Sequence, residues 1–402
     1  MPTNLSEITR PEVQDFIRSH EGADEKELVL SRKEILGLPS AEIVQQILGR
    51  RKTRKKLPSW YKTSGVVYPP TINLEQCSSE ATACYKQSLV GELTPVPSVV
   101  ADVTGGFGVD SFFLSKSISD VHYVEPDATL FEIARHNHRQ LGVTILHHNT
   151  SAEQFLNQMP ENVDLLYLDP SRRDVHAKRV FKLSDCTPDV TTLQKKIFEK
   201  CHWVLIKTSP LLDLQQGLRE IRSVRYMHVV AVDNECKELL FLADRDFIGT
   251  PEIRAVDLYA DGSIRSAFTF TPEDERMAPV SIREPARYLY EPNAAILKAG
   301  AFKLVGETFA LTKLAPNTHL YTSDHLLPNF PGRTFEIITL DPDSKRMQHL
   351  SRTSINILTR NYPLRPEAIK KKYQLQDGGD HYLIGFSSAR KKHLALCIRL
   401  QV

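Results

Sequence analysis

Val99-Val100-Ala101-Asp102-Val103-Thr104-Gly105-Gly106-Phe107-Gly108 is the stretch that decides the fold. An apolar run ends on an acid, turns through glycines and enters a helical pattern from Ser111 to Ser117. That order spells strand, tight loop and helix N-terminus. Glycine serves where backbone must approach a ligand or take a positive φ. Free N–H groups at a helix start face a polar or anionic ligand. A second apolar run, Val121 to Val124, ends on Glu125, where an acid can accept two ribose hydroxyls. A third, Leu165-Leu166-Tyr167-Leu168, ends on Asp169 and is followed by Pro170. Working outward, the pattern predicts strands at 98–103, 121–125, 143–147, 163–169, 202–207, 224–232 and 237–243. Helices are predicted at 109–117, 127–140, 151–158, 190–200 and 212–221. This alternation is that of an α/β, doubly wound parallel sheet.

The acids choose between two nucleotide chemistries. The dinucleotide fingerprint G-x-G-x-x-G needs a third glycine, and here that place holds Ser111. An acid before the glycines sits poorly beside a pyrophosphate and well beside an ammonium. An amino-acid end, a ribose and an adenine without phosphate describe S-adenosylmethionine. The pattern resembles the class I S-adenosylmethionine-dependent methyltransferases, whose first motif reads hydrophobic-hydrophobic-Asp-x-x-x-Gly-x-Gly; Asp102, Gly106 and Gly108 fill it. The resemblance implies a Rossmann-like seven-stranded sheet. It also implies cofactor contacts from Asp102, Thr104, Gly106, Gly108, Glu125 and Asn149. A bare scaffold without ligand is the alternative.

Each residue has a bland reading beside the functional one. Asp102 orients the cofactor's amino-acid end, or accepts N–H bonds from the glycine loop. Glu125 binds ribose, or caps the helix starting at Asp127. Asn149, in His147-His148-Asn149-Thr150, takes an adenine amino proton on its amide oxygen, or caps the helix from Ser151. The two histidines lack metal-ligand companions, so no metal is expected. Asp169-Pro170-Ser171-Arg172-Arg173 stands where enzymes that methylate base amines carry (Asp/Asn/Ser)-Pro-Pro-aromatic. An acceptor there points the amine's lone pair at the methyl. Asp169, Pro170 and Arg172 are therefore the catalytic candidates. Ser171-Arg172 departs from the pattern; Arg172 or Arg173 stacks on a base, clamps a phosphate, or pairs with surface carboxylates. Lys207, leaving the fifth strand, snorkels or neutralises Asp169. Glu238 is an acid behind the site. Ser79-Glu80, ahead of the first motif, loosely resembles the Pro-Glu of guanine-N2 RNA cap methyltransferases; a capping box is the plain reading.

At 402 residues the chain has room for about two to four domains. Its 41% hydrophobic and 25% charged residues are ordinary globular composition, and a net charge of +2 leaves nucleic-acid attraction to local patches. Six scattered cysteines form no C-x-x-C pair, which predicts reduced thiols. With no leader pattern and no membrane-length apolar run, the expected location is cytoplasmic. Residues 1–65 read as helical, with caps at Thr9-Arg10 and Ser40, and a further helix follows from Ser78 to Val90. Arg50 to Lys56 holds six basic residues in seven, followed by Trp60 and Tyr61. Arg50, Arg51, Lys55 and Lys56 thus read as an RNA surface or a solvated helix end. Lys370, Lys371 and Lys372 make a second basic patch.

Asp261-Gly262 reads as a hairpin turn and 272–279 as a polar linker, with one or two small α+β units beyond. The quoted Asp169 to Arg173 run is joined by Lys207-Thr208-Ser209-Pro210, Tyr288-Leu289-Tyr290-Glu291-Pro292-Asn293 and Tyr321-Thr322-Ser323-Asp324. Together these resemble a bacterial methyltransferase family with a ferredoxin-like segment and a THUMP-like C-terminal domain. The helical pattern sets off an N-terminal region at 1–92, and the resemblance, which covers roughly 70 to 402, implies the methyltransferase domain at 93–272, a ferredoxin-like segment at 280–328 and a THUMP-like α+β domain at 329–402. It implies an RNA partner, tRNA or rRNA; the Asp169-Pro170 motif and the Ser79-Glu80 segment point to methylation at an exocyclic amine such as guanine N2. The alternatives are a non-catalytic RNA-binding protein and a methyltransferase of small molecules or proteins. Neither membrane association nor a metal is expected, and the oligomeric state is open.

Overall fold

The computed structural model describes residues 5–159, 163–172, 182–350 and 353–401, the side chains of Ser31 and Arg172 excepted. The chain divides into two compact units. The first runs to Met227 and takes in Lys237–Gly249 and Leu258–Ser263; the second holds His228–Cys236, Thr250–Asp257 and the chain from Ile264.

Strands β1 (Val99–Asp102), β2 (Asp120–Val124), β3 (Leu146–His148), β4 (Leu165–Leu168), β5 (Trp203–Thr208), β6 (Val224–Val232) and β7 (Glu235–Asp244) line up in the order β6-β7-β5-β4-β1-β2-β3. β1 pairs in parallel with β2 and β4, and β4 with β5, while β7 runs antiparallel to β5. Every residue of β1, β4 and β5 is buried, as parallel strands covered on both faces require. Chain order reverses between β1 and β4. That switch point opens a crevice at the carboxyl ends of the strands, and Asp102 and Asp169 stand at those ends. β8 (Glu252–Leu258) and β9 (Ile264–Phe270) continue the order beyond β6. The expected turn lies between them, with Gly262 at φ +89°.

Helices α1 (Ser40–Lys56) and α2 (Glu80–Gly91) precede β1; α3 (Val109–Leu114) and α4 (Ala128–Gln140) follow β1 and β2. The N-terminal helices share one apolar core with the glycine loop: Ile43, Ile47, Trp60 and Tyr68 meet Phe107, Phe112, Phe113 and Ile133. Two reciprocal side-chain clamps fix the linking segment. Asn137 exchanges hydrogen bonds with the backbone of Val67 (2.8 and 2.8 Å), and Gln46 with that of Tyr68 (2.8 and 2.8 Å).

The second unit carries β10 (Tyr288–Pro292), β11 (Thr312–Ala315), β12 (Thr318–Ser323), β13 (Gly332–Leu340), β14 (Asn356–Arg360), β15 (His381–Ser387) and β16 (Lys392–Leu400). They form one sheet in the order β11-β12-β10-β13-β16-β15-β14. The conspicuous Tyr288–Asn293 motif is structural there. It supplies β10, then Asn293, which caps the next helix on Ile296 N (2.9 Å), and Glu291, which pairs with Arg333 and Arg360.

Four local expectations are corrected. Thr9 does not cap Pro11–Ser19; its hydroxyl donates to Leu5 O (2.7 Å), and Arg10 at the cap makes no side-chain cap bond. Ser40 is the first residue of α1 rather than its cap, which is Pro39. Residues 272–279 are not merely a linker: Pro272–Met277 is helical, opened by a capping box between Thr271 and Asp274. The third strand starts at Leu146, not 143, because Gly142 (φ +73°) and Val143 close α4, Val143 N donating to His138 O (3.1 Å). No described helix is long and apolar enough to cross a membrane.

Candidate active site at the glycine loop

The loop after β1 is braced by β2. Gly105 N donates to Val124 O (2.9 Å), Tyr123 OH donates to Gly106 O (2.7 Å), and Gly106 N donates to Glu125 Oε2 (2.8 Å). Its glycines have different reasons. A Cβ on Gly105 would lie 2.2 Å from the Tyr123 ring, and one on Gly108 (φ +84°) would lie 2.6 Å from His138 Nε2. A Cβ on Gly106 (φ +52°) would find nothing among the described residues nearer than Thr104 O at 3.9 Å. Two glycines thus allow packing, and the third leaves room for a ligand against bare backbone.

Asp102 is 1% exposed. Its oxygens accept Thr104 N–H (3.1 Å) and the Ser111 hydroxyl (2.6 Å). Burial, with help from the charges of Asp110 and Asp169, pushes its carboxyl up to about 7. The serine that breaks the dinucleotide fingerprint is therefore the residue that holds this acid. That role was hidden in the sequence, although the broken motif was its signal.

Glu125 accepts Gly106 N–H and, on Oε1, Asp127 N–H (2.9 Å); burial raises its carboxyl above the ordinary range. Asp127 itself caps α4, through Thr129 N (2.8 Å) and Leu130 N (2.9 Å). Asn149 donates to Glu125 O (2.8 Å) and Pro126 O (3.3 Å). It does not cap the following helix; Ser151 does, in a capping box with Gln154.

At the end of β4, Asp169 ion-pairs with Lys207 at the end of β5. Its backbone N–H donates to Thr104 Oγ1 (2.7 Å), tying the fourth strand's loop to the first. Pro170 is buried behind it. Ser171 and Arg172 pair with Thr187 and Cys186 as a two-residue ribbon, and Arg173 lies outside the described residues. Ser79 caps α2 through Thr82 N (3.2 Å), whereas Glu80 turns to Ser59, accepting from its N (2.9 Å) and Oγ (2.8 Å). This is a cap without the expected box.

The basic run divides. Arg50 pairs with Glu21, donates to Tyr61 O (3.0 Å) and lies over the Tyr61 ring. Arg51 pairs with Glu25 (3.0 Å) and the carbonyls of Glu21 and Ala23. Lys56 donates to Leu74 O (2.7 Å) and Glu75 O (2.8 Å). These three turn inward because the neighbouring segments offer carbonyls and acids, and Lys55 stays exposed. In the second unit Lys370 pairs with Asp377, while Lys371 and Lys372 are exposed. His138 and His147 bond to each other (2.9 Å), and burial drives them down to about 3 and about 4. His202, Asp244 and Asp246 come within ligand distance of one another, a grouping invisible in sequence, but Arg225 occupies Asp244 (2.8 Å).

Residues 288–331 match the model of a ferredoxin-like domain and residues 332–399 that of a THUMP domain-like family. A crystal structure described as a "putative methyltransferase" from Porphyromonas gingivalis W83 is 31% identical, covers 100% of both chains and superposes with a TM-score of 0.86. Two proteins from Mycobacterium tuberculosis strains CDC 1551 and H37Rv, named uncharacterized S-adenosylmethionine-dependent methyltransferases, are 22% identical over 288 residues, 69% of this chain and 74% of theirs. Strand order, glycine loop and relatives together define a class I S-adenosylmethionine-dependent methyltransferase. The chain belongs to the same family as the Porphyromonas gingivalis protein, as a relative at 31% identity rather than the same protein.

Proposed function

We propose that this methyltransferase acts on RNA, tRNA or rRNA, at an exocyclic base amine, guanine N2 first. The observation that carries the reading is Asp169-Pro170 at the switch point, its backbone tied to the glycine loop through Thr104 and its carboxylate partly open to solvent. The THUMP domain-like match supports an RNA acceptor. We assign 1–92 as a helical region, 93–272 as the catalytic domain, 280–328 as the ferredoxin-like segment and 329–402 as the THUMP-like domain. The expected location is the cytoplasm.

The donor set suits the cofactor. Gly106 leaves the space a Cβ would fill. Glu125 keeps acceptor capacity for ribose hydroxyls. Asn149 spends its amide protons on backbone carbonyls, so its oxygen can take an adenine amino proton. Asp102, Thr104 and Gly108 set the loop's shape. When bound, the cofactor supplies an electrophilic methyl on a sulfonium. Asp169 accepts one amine N–H and aims the nitrogen lone pair. With the cofactor bound, the amine held by Asp169 would take the methyl, the new nitrogen–carbon bond replacing the donor's sulfur–carbon bond, and its surplus proton would pass to water. The gain is one of orientation.

Mass spectrometry of RNA nucleosides tests it. A methylguanosine is expected to disappear in a gene-deletion strain, return with the wild-type gene and stay absent with Asp169→Ala. The variant's thermal shift with S-adenosylmethionine should stay normal, because the acceptor acts in the transition state. Full modification by Asp169→Ala would refute the amine-acceptor role.

A further inference from the structure

Behind Asp169 lies a buried charge cluster that the cofactor contacts do not use. Lys86 of α2 donates to both oxygens of Glu238 (2.8 and 3.0 Å) and to Ser78 Oγ (3.1 Å), and lies 3.2 Å from Asp110 Oδ1. Asp110 Oδ2 accepts from Ser78 Oγ (2.8 Å) and Tyr167 OH (2.9 Å). Lys207 is the second ammonium. Burial works against its charge, but Asp169, Asp110 and Glu238 outweigh burial and hold it above the ordinary lysine value. For Glu238 burial prevails over Lys86 and Lys207 and raises the carboxyl. Two ammoniums and three carboxylates therefore share one water-poor space.

Such a cluster is weak evidence for stability, since well-packed apolar residues in its place are often as stable or more so. It is most open at Asp169, whose side chain is 31% exposed, against 11% for Lys207, 10% for Asp110 and 3% for Glu238. Asp169 is anchored twice, its N–H on Thr104 and its Oδ2 on Lys207, and among the described residues its Oδ1 has no partner. A carboxylate anchored in this way has one rotamer and one oxygen to offer.

We propose that Lys207 is a positioning residue for methyl transfer: it occupies one oxygen of Asp169 and so presents the other to the acceptor amine, while Lys86 fixes the nearby carboxylates of Glu238 and Asp110. The inference rests on Asp169 being the amine acceptor. Lys207 touches neither substrate nor cofactor in this scheme. Its contribution is geometric, and misplacement by about 1 Å costs on the order of 100-fold in rate.

The test uses RNA extracted from a strain lacking the gene, tritiated S-adenosylmethionine and the full-length enzyme. Lys207→Met should lower kcat about 100-fold with an unchanged cofactor-induced thermal shift. Lys207→Arg should recover much of the rate; Lys207→Gln replaces the Met variant if that fails to fold. If Asp169→Ala is inactive and Lys207→Met fully active, the positioning role is wrong. If Asp169→Ala is itself active, the amine-acceptor reading has failed instead. Crystal structures of wild type, Lys207→Met and Lys207→Arg decide independently of turnover, including the case where that RNA accepts no label. Asp169 displaced in the Met variant and restored in the Arg variant supports the role; Asp169 unmoved in the Met variant overturns it.

Discussion

The glycine-loop edge and the Arg50–Lys56 run both concentrate charge, and the fold treats them in opposite ways. At the loop, Asp102 and Glu125 are buried with no cation beside them among the described residues: their partners are the N–H groups of Thr104, Gly106 and Asp127 and the hydroxyl of Ser111. In the basic run, Arg50, Arg51 and Lys56 are matched by acids and carbonyls of the same unit. Buried acids short of counter-charge are held at a cost to stability, an arrangement common at functional sites. Basic side chains tied to neighbouring acids and carbonyls serve the fold. The comparison can be broken by removing one charge from each place and asking whether stability rises or falls.

The largest effect is expected at Asp102. Folded, its carboxyl holds a proton up to about pH 7, against an ordinary value of 3.8. Between those values the folded state binds more protons than the unfolded one, so stability falls as pH rises. The contribution is whole below the unfolded value and gone above about 7. Asp102→Asn carries no such proton and can keep both hydrogen bonds. It should be more stable than wild type by about 4 kcal/mol at pH 8, with the advantage vanishing near pH 4. Urea denaturation across this range reads the difference. Equal midpoints at every pH would show that the buried acid is not held against stability.

Much of this edge was legible in the sequence, because parallel strands buried on both faces read as apolar runs, and each run of interest ended on an acid. Six of the seven sheet strands lie within about two residues of their expected places; β3 failed because Gly142 and Val143 finish a helix by hydrogen bonding that composition does not show. The Lys207–Asp169 pair was one of two options for a lysine leaving a buried strand. The Lys86–Glu238 pair was out of reach, since 152 residues separate the partners and nothing local links them. The inward turn of Arg50 depends on Glu21 and Tyr61, whose nearness is a product of tertiary packing. The helix Pro272–Met277 was readable, with Thr271 and Asp274 at capping-box spacing, but its charged run from Glu273 to Arg276 resembled a linker.

Arg50 should show the opposite sign. Arg50→Ala removes a guanidinium 16% exposed and leaves Glu21, 21% exposed, with the Tyr61 hydroxyl (3.0 Å) as its one side-chain partner among the described residues. Leaving a largely buried carboxylate without its cation should lower stability by about 2 kcal/mol. If Arg50 is structural, the salt dependence of RNA binding should not change. A variant of unchanged midpoint but altered salt slope would return Arg50 to the RNA surface and remove the contrast with the loop.

The smallest effect on stability belongs to Lys371 and Lys372, exposed on the helix Pro366–Tyr373. Lys370 beside them is paired with Asp377, so these two are the charges of that run free to meet a phosphate. Lys371→Gln with Lys372→Gln should change stability by less than about 0.5 kcal/mol. Removing one lysine–phosphate pairing should flatten the plot of log affinity against log salt by about 0.7 to 0.9, so the double substitution should take about 1.4 to 1.8 from the slope. Filter binding of bulk tRNA over a series of salt concentrations measures it. The Arg50 variant serves as the control that loses stability and keeps its slope. An unchanged slope in the double variant would mean that exposure in this helix does not mark the RNA face, and that the polyanion meets another surface of the protein.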